Sequence, residues 1–410
     1  MRILLYSYNY HPEPIGIAPL MTELAEGLVK RGHQVRVVTA FPWYPNSEIP
    51  PEYAGKLYAS EERNGVKIQR SYVWARQRRS LKNRVLFELS FVFLSFFQAI
   101  NGWRPDVIFL TVPGLPVCVP AALLKRLYGV PIVLNLQDIL PDAAVHVGLL
   151  TNEKMIRVFQ GLERFAYRTA EKISVIADGF TKNLLEKEVP GEKIVEISNW
   201  VDINFIKPLE KTDNYFLREN ELVGKFVVLY SGNIALTQPL ETLIDAAARL
   251  VSIPDIRIVI VGKKEALDRL ENYRQQQGAD NVLLRPFQPR EKLAEMLAAA
   301  DVAMVMQKHN VISFNMPSKI QVLLASGRPI IASVPATGTA ARAIERSGGG
   351  LVVPPEDPDA LARAILELYN DPERLRILGE NGRQYAVENY SFESALDRYE
   401  KLFAELVGGF

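Results

Sequence analysis

Lys319 is the residue whose position suggests chemistry most directly. The preceding Pro317 and Ser318 favour the start of a helix, which runs toward Gly327. Lys319 then lies in the first helical turn, where the helix dipole disfavours a cation. A bound diphosphate would supply the opposing charge, so the pattern predicts that Lys319 contacts a phosphate-containing ligand. The alternative is a lysine that is simply solvated.

Two glycine turns stand where predicted strands meet predicted helices. Gly16 precedes the helix predicted over Ala18–Lys30, and the turn Ser231–Asn233, centred on Gly232, follows the strand predicted over Phe226–Ser231. Free backbone N–H groups in such turns bind phosphate, although an ordinary turn also accounts for Gly16. No Gly-Lys-Ser/Thr follows the second turn, so it is not a Walker A loop and ATP hydrolysis is not expected.

Polar residues follow two predicted strands in the first half of the chain. Asp138 follows the strand predicted over Pro131–Leu136, and His11 and Glu13 follow the strand predicted over Ile3–Ser7. Ligands bind outside the carboxyl ends of parallel strands. We therefore expect Asp138 to have a functional role and His11 and Glu13 to face the same edge. An ordinary loop position is the alternative for His11 and Glu13.

The composition excludes several kinds of site. Among 410 residues, 48 Lys+Arg balance 47 Asp+Glu, so charge does not point to nucleic acid. The single cysteine, Cys118, excludes a disulfide framework, and the four histidines show no metal-ligand spacing. No metal and no cofactor are therefore expected. The first residues form a predicted strand and not a cleavable signal, so we expect a cytoplasmic protein.

Short apolar runs typical of buried strands alternate with helical patterns in two series. The first series occupies residues 1–204 and the second residues 205–390, and the polar stretch Trp200–Gly224 marks the break between them. This alternation predicts an α/β fold with two Rossmann-like domains, each built on a parallel sheet. Residues 391–410 contain an amphipathic helix that no strand follows.

Residues 76–97 do not fit a Rossmann-like domain and form a predicted membrane-contact segment. A basic cluster precedes an apolar, phenylalanine-rich run of about 15 residues, shorter than the roughly 20 that span a bilayer. A cationic collar beside aromatic side chains suits a helix lying in the interface of an anionic membrane. A buried helix with solvated arginines is the alternative. The residues predicted to contact the membrane are Arg76, Arg78, Arg79, Lys82, Arg84, Phe91 and Phe93.

Six motifs follow one another in order along nearly the whole chain. They are Gly16 before a helix, Arg31-Gly32-His33-x-Val35-x-Val37, Asn199-Trp200-Val201-Asp202, Ser231-Gly232-Asn233, Ala300-Asp301-Val302 and Ala325-Ser326-Gly327-x-Pro329. Together they resemble the retaining family 4 glycosyltransferases, which have the GT-B fold. Pro317–Lys319 with Ser231–Ile234 and Gln238 resembles more narrowly the WcaI-type enzymes of colanic acid synthesis and related fucosyl- or N-acetylfucosaminyl-transferases.

The resemblance implies two Rossmann-like domains facing each other across a cleft, with a C-terminal helix that crosses back to the first domain. It also implies transfer of a sugar from a nucleotide donor with retention of configuration and without a metal. Asp138 and Gln137 would stand in the catalytic region, and Phe287 would lie near the base. The implied donor-binding residues are Gly16, Ser231, Gly232, Asn233, Gln238, Phe287, Phe314, Asn315, Pro317, Ser318 and Lys319.

The chain departs from the family pattern in three respects. The two glutamates that the family spaces eight apart fall at Phe314 and Val322, so ribose recognition must come from elsewhere. The family's basic residue after the glycine turn falls at Gln238, which leaves Lys319 as the main cationic candidate. The histidine of the family's His-Asp pair falls at Gln137, which is no general base but can hydrogen-bond a sugar hydroxyl.

The leading hypothesis is a glycosyltransferase that acts on a polyprenyl-diphosphate-linked glycan in exopolysaccharide or surface-glycan assembly. Its expected partners are a GDP- or UDP-sugar, that lipid-linked acceptor and the inner face of the cytoplasmic membrane, where it would be peripherally associated. A nucleotide-sugar 2-epimerase of the same fold is one alternative, and the segment 76–97 counts against it. A non-catalytic sugar-nucleotide-binding subunit is another, favoured by the missing glutamates and by Gln137.

Overall fold

The structure, a computed structural model, divides the chain into two compact units. Unit 1 comprises Met1–Asn199 and Ala395–Phe410, and unit 2 comprises Trp200–Ser394. For two residues of a helix, Leu81 and Arg84, the description covers the backbone only. The residues that the structure describes are 1–14, 16–44, 48–76, 81–100, 103–112, 114–146, 148, 150–234, 237–311, 313–314 and 316–408.

The first boundary between the units lies after Asn199 and not after residue 204. Val201 N donates a hydrogen bond to Tyr390 O at 2.8 Å. The Trp200 ring packs against Phe392, with ring centroids 5.4 Å apart. These contacts tie the start of the polar stretch to the last part of unit 2, so the stretch is not a free linker.

Unit 1 is built on an eight-stranded sheet with the order β3-β4-β2-β1-β5-β6-β7-β8. All neighbouring strands are parallel except β3, which pairs antiparallel with β4. The inner strands are buried on both faces, which explains their continuous apolar sequences. The strands are β1 (Arg2–Tyr6), β2 (Gln34–Ala40), β3 (Tyr58–Arg63), β4 (Val66–Ser71), β5 (Val107–Val112), β6 (Ile132–Leu136), β7 (Lys172–Val175) and β8 (Ile194–Glu196).

The β3–β4 hairpin is the part of this sheet that the apolar pattern does not predict. The strand β3 has the sequence Tyr-Ala-Ser-Glu-Glu-Arg and lies at the sheet edge, so it needs no apolar run. Its turn is Asn64-Gly65, where both residues have positive φ angles of 49° and 79°. This backbone is typical of a two-residue hairpin turn, for which Asn-Gly is the favoured pair.

Six α-helices lie among the described residues of the first 199, and two of them, over Ala18–Lys30 and Glu153–Thr169, have the predicted bounds. The helices are α1 (Ala18–Lys30), α2 (Leu81–Ala99), α3 (Cys118–Tyr128), α4 (Asp142–His146), α5 (Glu153–Thr169) and α6 (Asp178–Glu186).

The helix α2 carries most of the predicted membrane-contact segment, and it is buried on one side only. Phe91 is 0% exposed, with its ring centroid 4.3 Å from that of Tyr8, so the prediction that Phe91 contacts a membrane is wrong. Phe93, by contrast, is 65% exposed. Residues two apart on a helix face different directions, and the sequence alone did not show which side faces the sheet. Among the helices described, none is long and apolar enough to cross a bilayer.

Five of the predicted membrane-contact residues are basic, and the structure describes the side chains of two of them. Arg76 and Lys82 are exposed, and the Arg76 guanidinium lies 4.6 Å from the centroid of the Trp74 ring. Arg78 and Arg79 lie outside the described residues, as does the side chain of Arg84.

Unit 2 is built on a six-stranded parallel sheet with the order β11-β10-β9-β12-β13-β14. Apolar side chains from both of its faces form cores with the surrounding helices. The strands are β9 (Phe226–Ser231), β10 (Ile256–Gly262), β11 (Val282–Pro286), β12 (Val302–Met306), β13 (Ile330–Ser333) and β14 (Gly350–Val353). The helices from here to the end of the chain are α7 (Tyr215–Glu219), α8 (Leu240–Arg249), α9 (Lys264–Gln277), α10 (Leu293–Ala298), α11 (Lys319–Ala325), α12 (Thr339–Ser347), α13 (Pro358–Tyr369), α14 (Pro372–Tyr390) and α15 (Phe392–Gly408).

The last helix, α15, belongs to unit 1 from Ala395 onward. The rings of Tyr399 and Phe403 lie 5.2 and 5.7 Å from the ring of Phe109 in β5. The Tyr399 hydroxyl also accepts a hydrogen bond from the Asn135 amide in β6 at 3.0 Å. The end of the chain thus completes the first Rossmann-like unit, as the fold prediction has it.

Candidate functional site

The topology of unit 2 places a candidate site at the end of β9. The sheet extends from β9 to β10 and β11 on one side and to β12 on the other, so the strand order reverses between β9 and β12. Ligands of open parallel sheets bind outside the carboxyl ends of the strands at such a point. The loop that continues from the turn Ser231–Asn233 meets the loop after β12, because Lys308 N donates to Thr237 O at 3.0 Å.

Lys319 is the first residue of α11, and its amine lies at this turn. The Nζ atom is buried, lies 3.7 Å from the centroid of the Tyr230 ring, and has no hydrogen-bond partner within the described residues. Burial lowers the pKa of the Lys319 amine to about 7, because the charged form loses hydration without gaining an anion. The aromatic ring offsets only part of that cost. The amine is therefore placed to bind a ligand of opposite charge.

Gly232 allows the close approach of this amine to the turn. Its φ angle is +149°, and a Cβ atom at this position would lie 2.8 Å from Lys319 Nζ. Gly232 N donates to Val261 O of β10 at 3.1 Å, and the Tyr230 hydroxyl donates to Asn233 O at 2.8 Å. Hydrogen bonds to β10 and to the Tyr230 hydroxyl thus fix the turn. Lys319 Nζ occupies the space that the side chain of any residue other than glycine would need at position 232.

Gly232→Ala is expected to weaken the binding of a nucleoside diphosphate by about tenfold, because the added methyl group displaces Lys319 Nζ. Calorimetric titration with UDP and GDP measures the change. Gly224→Ala is the matched control, since Gly224 also has a positive φ, of 75°, but a Cβ there meets no atom within 4 Å. If both variants bound the nucleoside diphosphate equally weakly, the cause would be backbone strain and not the contact with Lys319.

Four other predicted donor-binding residues flank Gly232 and Lys319 in the sequence. Ser231 and Asn233 flank Gly232 in the turn, and Pro317 and Ser318 lead directly into Lys319. The Ser318 side chain forms no capping hydrogen bond with α11. These four residues are sequence neighbours of Gly232 and Lys319, and their contact with a donor stays a prediction.

Phe314 is the donor-binding prediction that the structure contradicts. Its side chain is 5% exposed, so the ring offers no face to a ligand. Val322, at the other position where the family has a glutamate, packs against the core of unit 2. Phe287 is exposed after β11, Gln238 is half-buried, and Asn315 lies outside the described residues.

Tyr230 is the residue of this site that the sequence analysis missed. It carries the ring beneath Lys319 Nζ and the hydroxyl that fixes Asn233. The signal that could have revealed it is a large aromatic residue directly before Ser231-Gly232-Asn233, after three aliphatic residues of the strand.

In unit 1, the strand order reverses between β1 and β5, and Asp138 follows the neighbouring strand β6. Its carboxylate accepts a hydrogen bond from Ile139 N at 2.9 Å. Burial raises the pKa of the Asp138 carboxyl group above its ordinary value, and the Ile139 hydrogen bond opposes that shift. A half-buried carboxyl group of raised pKa at the carboxyl end of a strand is suited to exchange a proton or a hydrogen bond with a hydroxyl group.

Gln137 is held by other amides. Its Nε2 donates to Asn135 at 2.9 Å and to Asn199 at 3.0 Å, and its Oε1 accepts from Asn199 at 2.7 Å. Both amide hydrogens are therefore committed inside unit 1, and the expectation that Gln137 hydrogen-bonds a sugar hydroxyl stays a prediction that only Oε1 could fulfil. Gln137 is better described as a residue that positions the end of β6.

Glu13 likewise has an internal role. Its side chain is buried and accepts hydrogen bonds from the Asn9 amide at 2.7 Å and from the backbone N–H groups of Trp43 and Tyr44 at 3.1 and 2.9 Å. The prediction that Glu13 faces a ligand is wrong, because its carboxyl oxygens instead accept N–H groups of the loop that follows β2.

His11 and Gly16 remain at the surface of the loop after β1. His11 Nε2 lies 3.1 Å from Arg63 Nη1, and burial together with Arg63 and Arg70 lowers the pKa of the imidazole. Gly16 adopts a φ of +72° just before α1, whose first turn has no side-chain cap. Within the described ranges, no group of three or more His, Cys, Asp or Glu side chains is arranged to hold a metal ion.

Comparison with known proteins identifies the family. A glycosyl transferase 4-like domain matches residues 16–200, and a glycosyl transferases group 1 domain matches residues 212–385. The colanic acid biosynthesis glycosyl transferase WcaI of Escherichia coli K12 is 32% identical over 409 residues, which cover 97% of this chain and 98% of that protein. The glycosyltransferase WbjE of Pseudomonas aeruginosa is 28% identical over 330 residues, 78% of this chain and 81% of that protein.

The fold agrees with these matches. Sucrose-phosphate synthase from Thermosynechococcus elongatus superimposes with a TM-score of 0.73 at 20% identity, over 100% of both chains. The motifs in the sequence, the two Rossmann-like units and the full-length match to a relative at 32% identity are consistent with one another. This chain is a glycosyltransferase that belongs to the family 4-like enzymes with the GT-B fold.

Proposed function

We propose that this glycosyltransferase moves a sugar from a GDP- or UDP-sugar to a lipid-linked glycan, with retention of anomeric configuration and without a metal ion. The pathway proposed is assembly of an exopolysaccharide or surface polysaccharide, the kind of process named for WcaI. The observation that carries the proposal is the buried, unpartnered amine of Lys319 at the Gly232 turn.

Lys319 supplies the charge that the departing nucleoside diphosphate requires. Negative charge grows on the diphosphate as the glycosidic bond breaks, and a preorganised cation in a site with little water stabilises it strongly. The amine lies 3.7 Å from the centroid of the Tyr230 ring, on the side of Gly232 where a Cβ atom would stand. In this proposal Lys319 takes the role that a divalent ion has in metal-dependent sugar transferases.

Asp138 is the group of unit 1 that we assign to the acceptor. The attacking hydroxyl donates its hydrogen bond, and finally its proton, to a group near the reacting carbon. Asp138 has a carboxylate at the carboxyl end of β6, where it accepts a hydrogen bond from Ile139 N at 2.9 Å. Gln137, Asn135 and Asn199 hold the same strand end in position.

A lipid-linked acceptor is supported by the outer side of α2. Phe93 is exposed on this helix, and the exposed Arg76 and Lys82 stand near its beginning. Such a helix suits peripheral contact with the inner face of the cytoplasmic membrane, where a polyprenyl-diphosphate-linked glycan is found. Phe91 takes no part in that contact because it is buried.

A thermal-shift panel of GDP-, UDP-, ADP- and dTDP-sugars, with and without EDTA, tests the donor part of the proposal. A ligand at a hundred times its dissociation constant stabilises the protein by about 2.7 kcal/mol. We expect a shift with one nucleotide that EDTA leaves unchanged. A shift that EDTA removes would contradict the metal-independent mechanism, and no shift with any nucleotide would contradict the donor site.

Product analysis then separates transfer from the alternatives. A transferase consumes the donor only when a glycan acceptor is present and leaves a product with the anomeric configuration of the donor. A 2-epimerase would change the donor without an acceptor, and a non-catalytic subunit would change nothing. An inverted glycosidic product would contradict the retaining mechanism alone.

A further inference from the structure

Exposed large apolar side chains are concentrated on three helices of unit 1. The helix α3 contacts both α2 and α5, so the three are neighbours. Most of these side chains recur at intervals of four along their helices, which places them on one outward side. They are Val85, Leu89, Phe93 and Phe97 on α2, Val119, Leu123 and Leu127 on α3, and Val158 and Phe165 on α5.

These side chains are not needed for the packing of unit 1. On α2 it is the opposite side, with Phe91 and Ser95, that packs inward, where Ser95 hydrogen-bonds the Tyr6 hydroxyl. On α3 the buried side includes Leu124, and on α5 it includes Glu163, whose carboxylate binds Lys187. Each helix therefore has a satisfied inner side and a second apolar side in water. Patches of this kind on a protein surface mark interaction sites.

Positive charge accompanies the same three helices. The whole chain has a net charge of only +1. Of the acidic residues on these helices, Glu88 and Glu163 are buried, and the exposed Glu153 is paired with Arg157 at 3.3 Å. The exposed basic residues of the three helices are Lys82, Arg126, Lys154, Arg157, Arg164 and Arg168.

We infer that α2, α3 and α5 together form one docking surface for an anionic phospholipid membrane. The apolar side chains enter the boundary between head groups and acyl chains, and the basic residues of α5 and Arg126 bind the acidic head groups. A second copy of this chain is a poorer occupant, because two surfaces with the same positive charge repel each other. The surface extends well beyond the predicted segment 76–97 and includes two helices that the sequence analysis did not connect with a membrane.

This inference rests on the proposed function in one respect: the lipid anchor of the acceptor explains why an enzyme that lacks a membrane-spanning helix in its described part would need such a surface. Contact through three helices fixes the orientation of unit 1 on the bilayer better than contact through one. The acceptor would then reach the enzyme by diffusion in the plane of the membrane.

Cosedimentation of the full chain with vesicles of phosphatidylcholine, alone or with about 30% phosphatidylglycerol, tests the surface. Replacing two basic residues of α5, in Arg157→Glu/Arg164→Glu, is expected to lower partition to the anionic vesicles by about tenfold or more. Leu123→Ser/Leu127→Ser on α3 is expected to lower it by about tenfold as well, because less apolar surface enters the bilayer. These positions are exposed, so the melting temperature should not change.

Matched controls use exposed residues of unit 2. Lys264→Glu/Arg363→Glu changes the charge equally, and Val223→Ser/Val251→Ser removes exposed apolar groups. Both should bind anionic vesicles within about twofold of the unchanged protein. Loss of binding in the controls would show a nonspecific effect of charge or hydrophobicity and would overturn the inference.

Two further outcomes would also overturn it. If only Phe93→Ser on α2 reduced binding while the α3 and α5 variants bound normally, the contact would be confined to α2. If Leu123→Ser/Leu127→Ser dissociated a dimer and left vesicle binding intact, the surface would belong to a second copy. The donor thermal shift should persist in every variant, so a protein that binds vesicles but no nucleotide would refute the proposed function and not this surface.

Discussion

Lys319→Met is expected to weaken donor binding by roughly 100-fold and at the same time to leave the protein as stable as before or more so. A charge-assisted hydrogen bond to a phosphate contributes about 2–3 kcal/mol, and a phosphate left without its cation adds to the loss. The stability of the folded protein is kept or increased, because methionine replaces a buried amine that has no hydrogen-bond partner in the part of the chain described. Each kcal/mol recovered raises the melting temperature by about 2–4 °C.

The donor affinity and the stability of the protein each depend on pH in a direction that the pKa of Lys319 determines. The pKa of Lys319 in the folded, ligand-free protein is about 7, below the value of about 10.4 in an unfolded chain. The folded state therefore binds fewer protons between these pH values, and the stability of the unchanged protein rises with pH across that window. The advantage of Lys319→Met should be largest below pH 7 and should disappear toward pH 10.

Donor binding requires the protonated amine. The affinity for the nucleoside diphosphate should be level below pH 7 and should fall by up to about tenfold per pH unit above it, with uptake of nearly one proton at pH 8. Titration calorimetry in buffers of different ionisation enthalpy measures that uptake, and Lys319→Met should abolish it.

Lys292→Met is the matched control for Lys319. Lys292 Nζ also lies over an aromatic ring of unit 2, 3.9 Å from the centroid of Tyr215 at the start of α7, whereas Lys319 lies over Tyr230 at the end of β9. The Lys292→Met variant should bind the donor with unchanged affinity and should take up nearly one proton on binding at pH 8, as the unchanged protein does. A Lys319→Met variant with unchanged affinity would remove this residue from the donor site, whatever its effect on stability.

Asp138→Asn is expected to lower the turnover of sugar transfer by about 100- to 10,000-fold while the donor affinity stays within about twofold. The amide keeps the size of the side chain and can still accept the hydrogen bond from Ile139 N. The amide has no negative charge, so it cannot accept the proton of the attacking hydroxyl group. Initial rates at saturating donor, combined with a donor titration, separate the two effects.

The control for this substitution is Asp142→Asn. Asp142 is also in unit 1, and its carboxylate binds Lys187 at 2.9 Å. Loss of that pair should change stability slightly and turnover little. Because burial raises the pKa of Asp138, transfer by the unchanged enzyme should fall as the pH drops through a value above that of an ordinary aspartate. Near-normal turnover by Asp138→Asn would show that the acceptor is activated by another group.

Much of the architecture follows from local sequence patterns. Apolar runs that alternate with amphipathic segments can be buried only as parallel strands between helices, and this predicts two Rossmann-like units. The helix bounds Ala18–Lys30 and Glu153–Thr169 follow from their spacing alone. Lys319 could also be singled out from sequence, because a cation in the first turn of a helix conflicts with the dipole unless an anion is present. These are properties of neighbouring residues.

Other features were decided by contacts between distant residues. Phe91 and Phe93 have the same chemistry, and only the packing of α2 on the sheet buries one and exposes the other. The Glu13 carboxyl group accepts hydrogen bonds from the backbone of Trp43 and Tyr44, which lie too far along the chain for a local sequence pattern to predict the contact. The lipid-binding surface proposed here needs α3 and α5 beside α2, whose exposed sides look like core residues in the sequence.

The same reason limits what the sequence determined about the site. Local spacing predicts where strands end and which residues follow them. The pKa of Lys319, the ring of Tyr230 beneath it and the lack of space for a Cβ at Gly232 depend on how β9 and α11 meet in space. Desolvation and steric fit arise from all atoms within a few ångströms, whatever their distance along the chain, and so only the tertiary structure decides them.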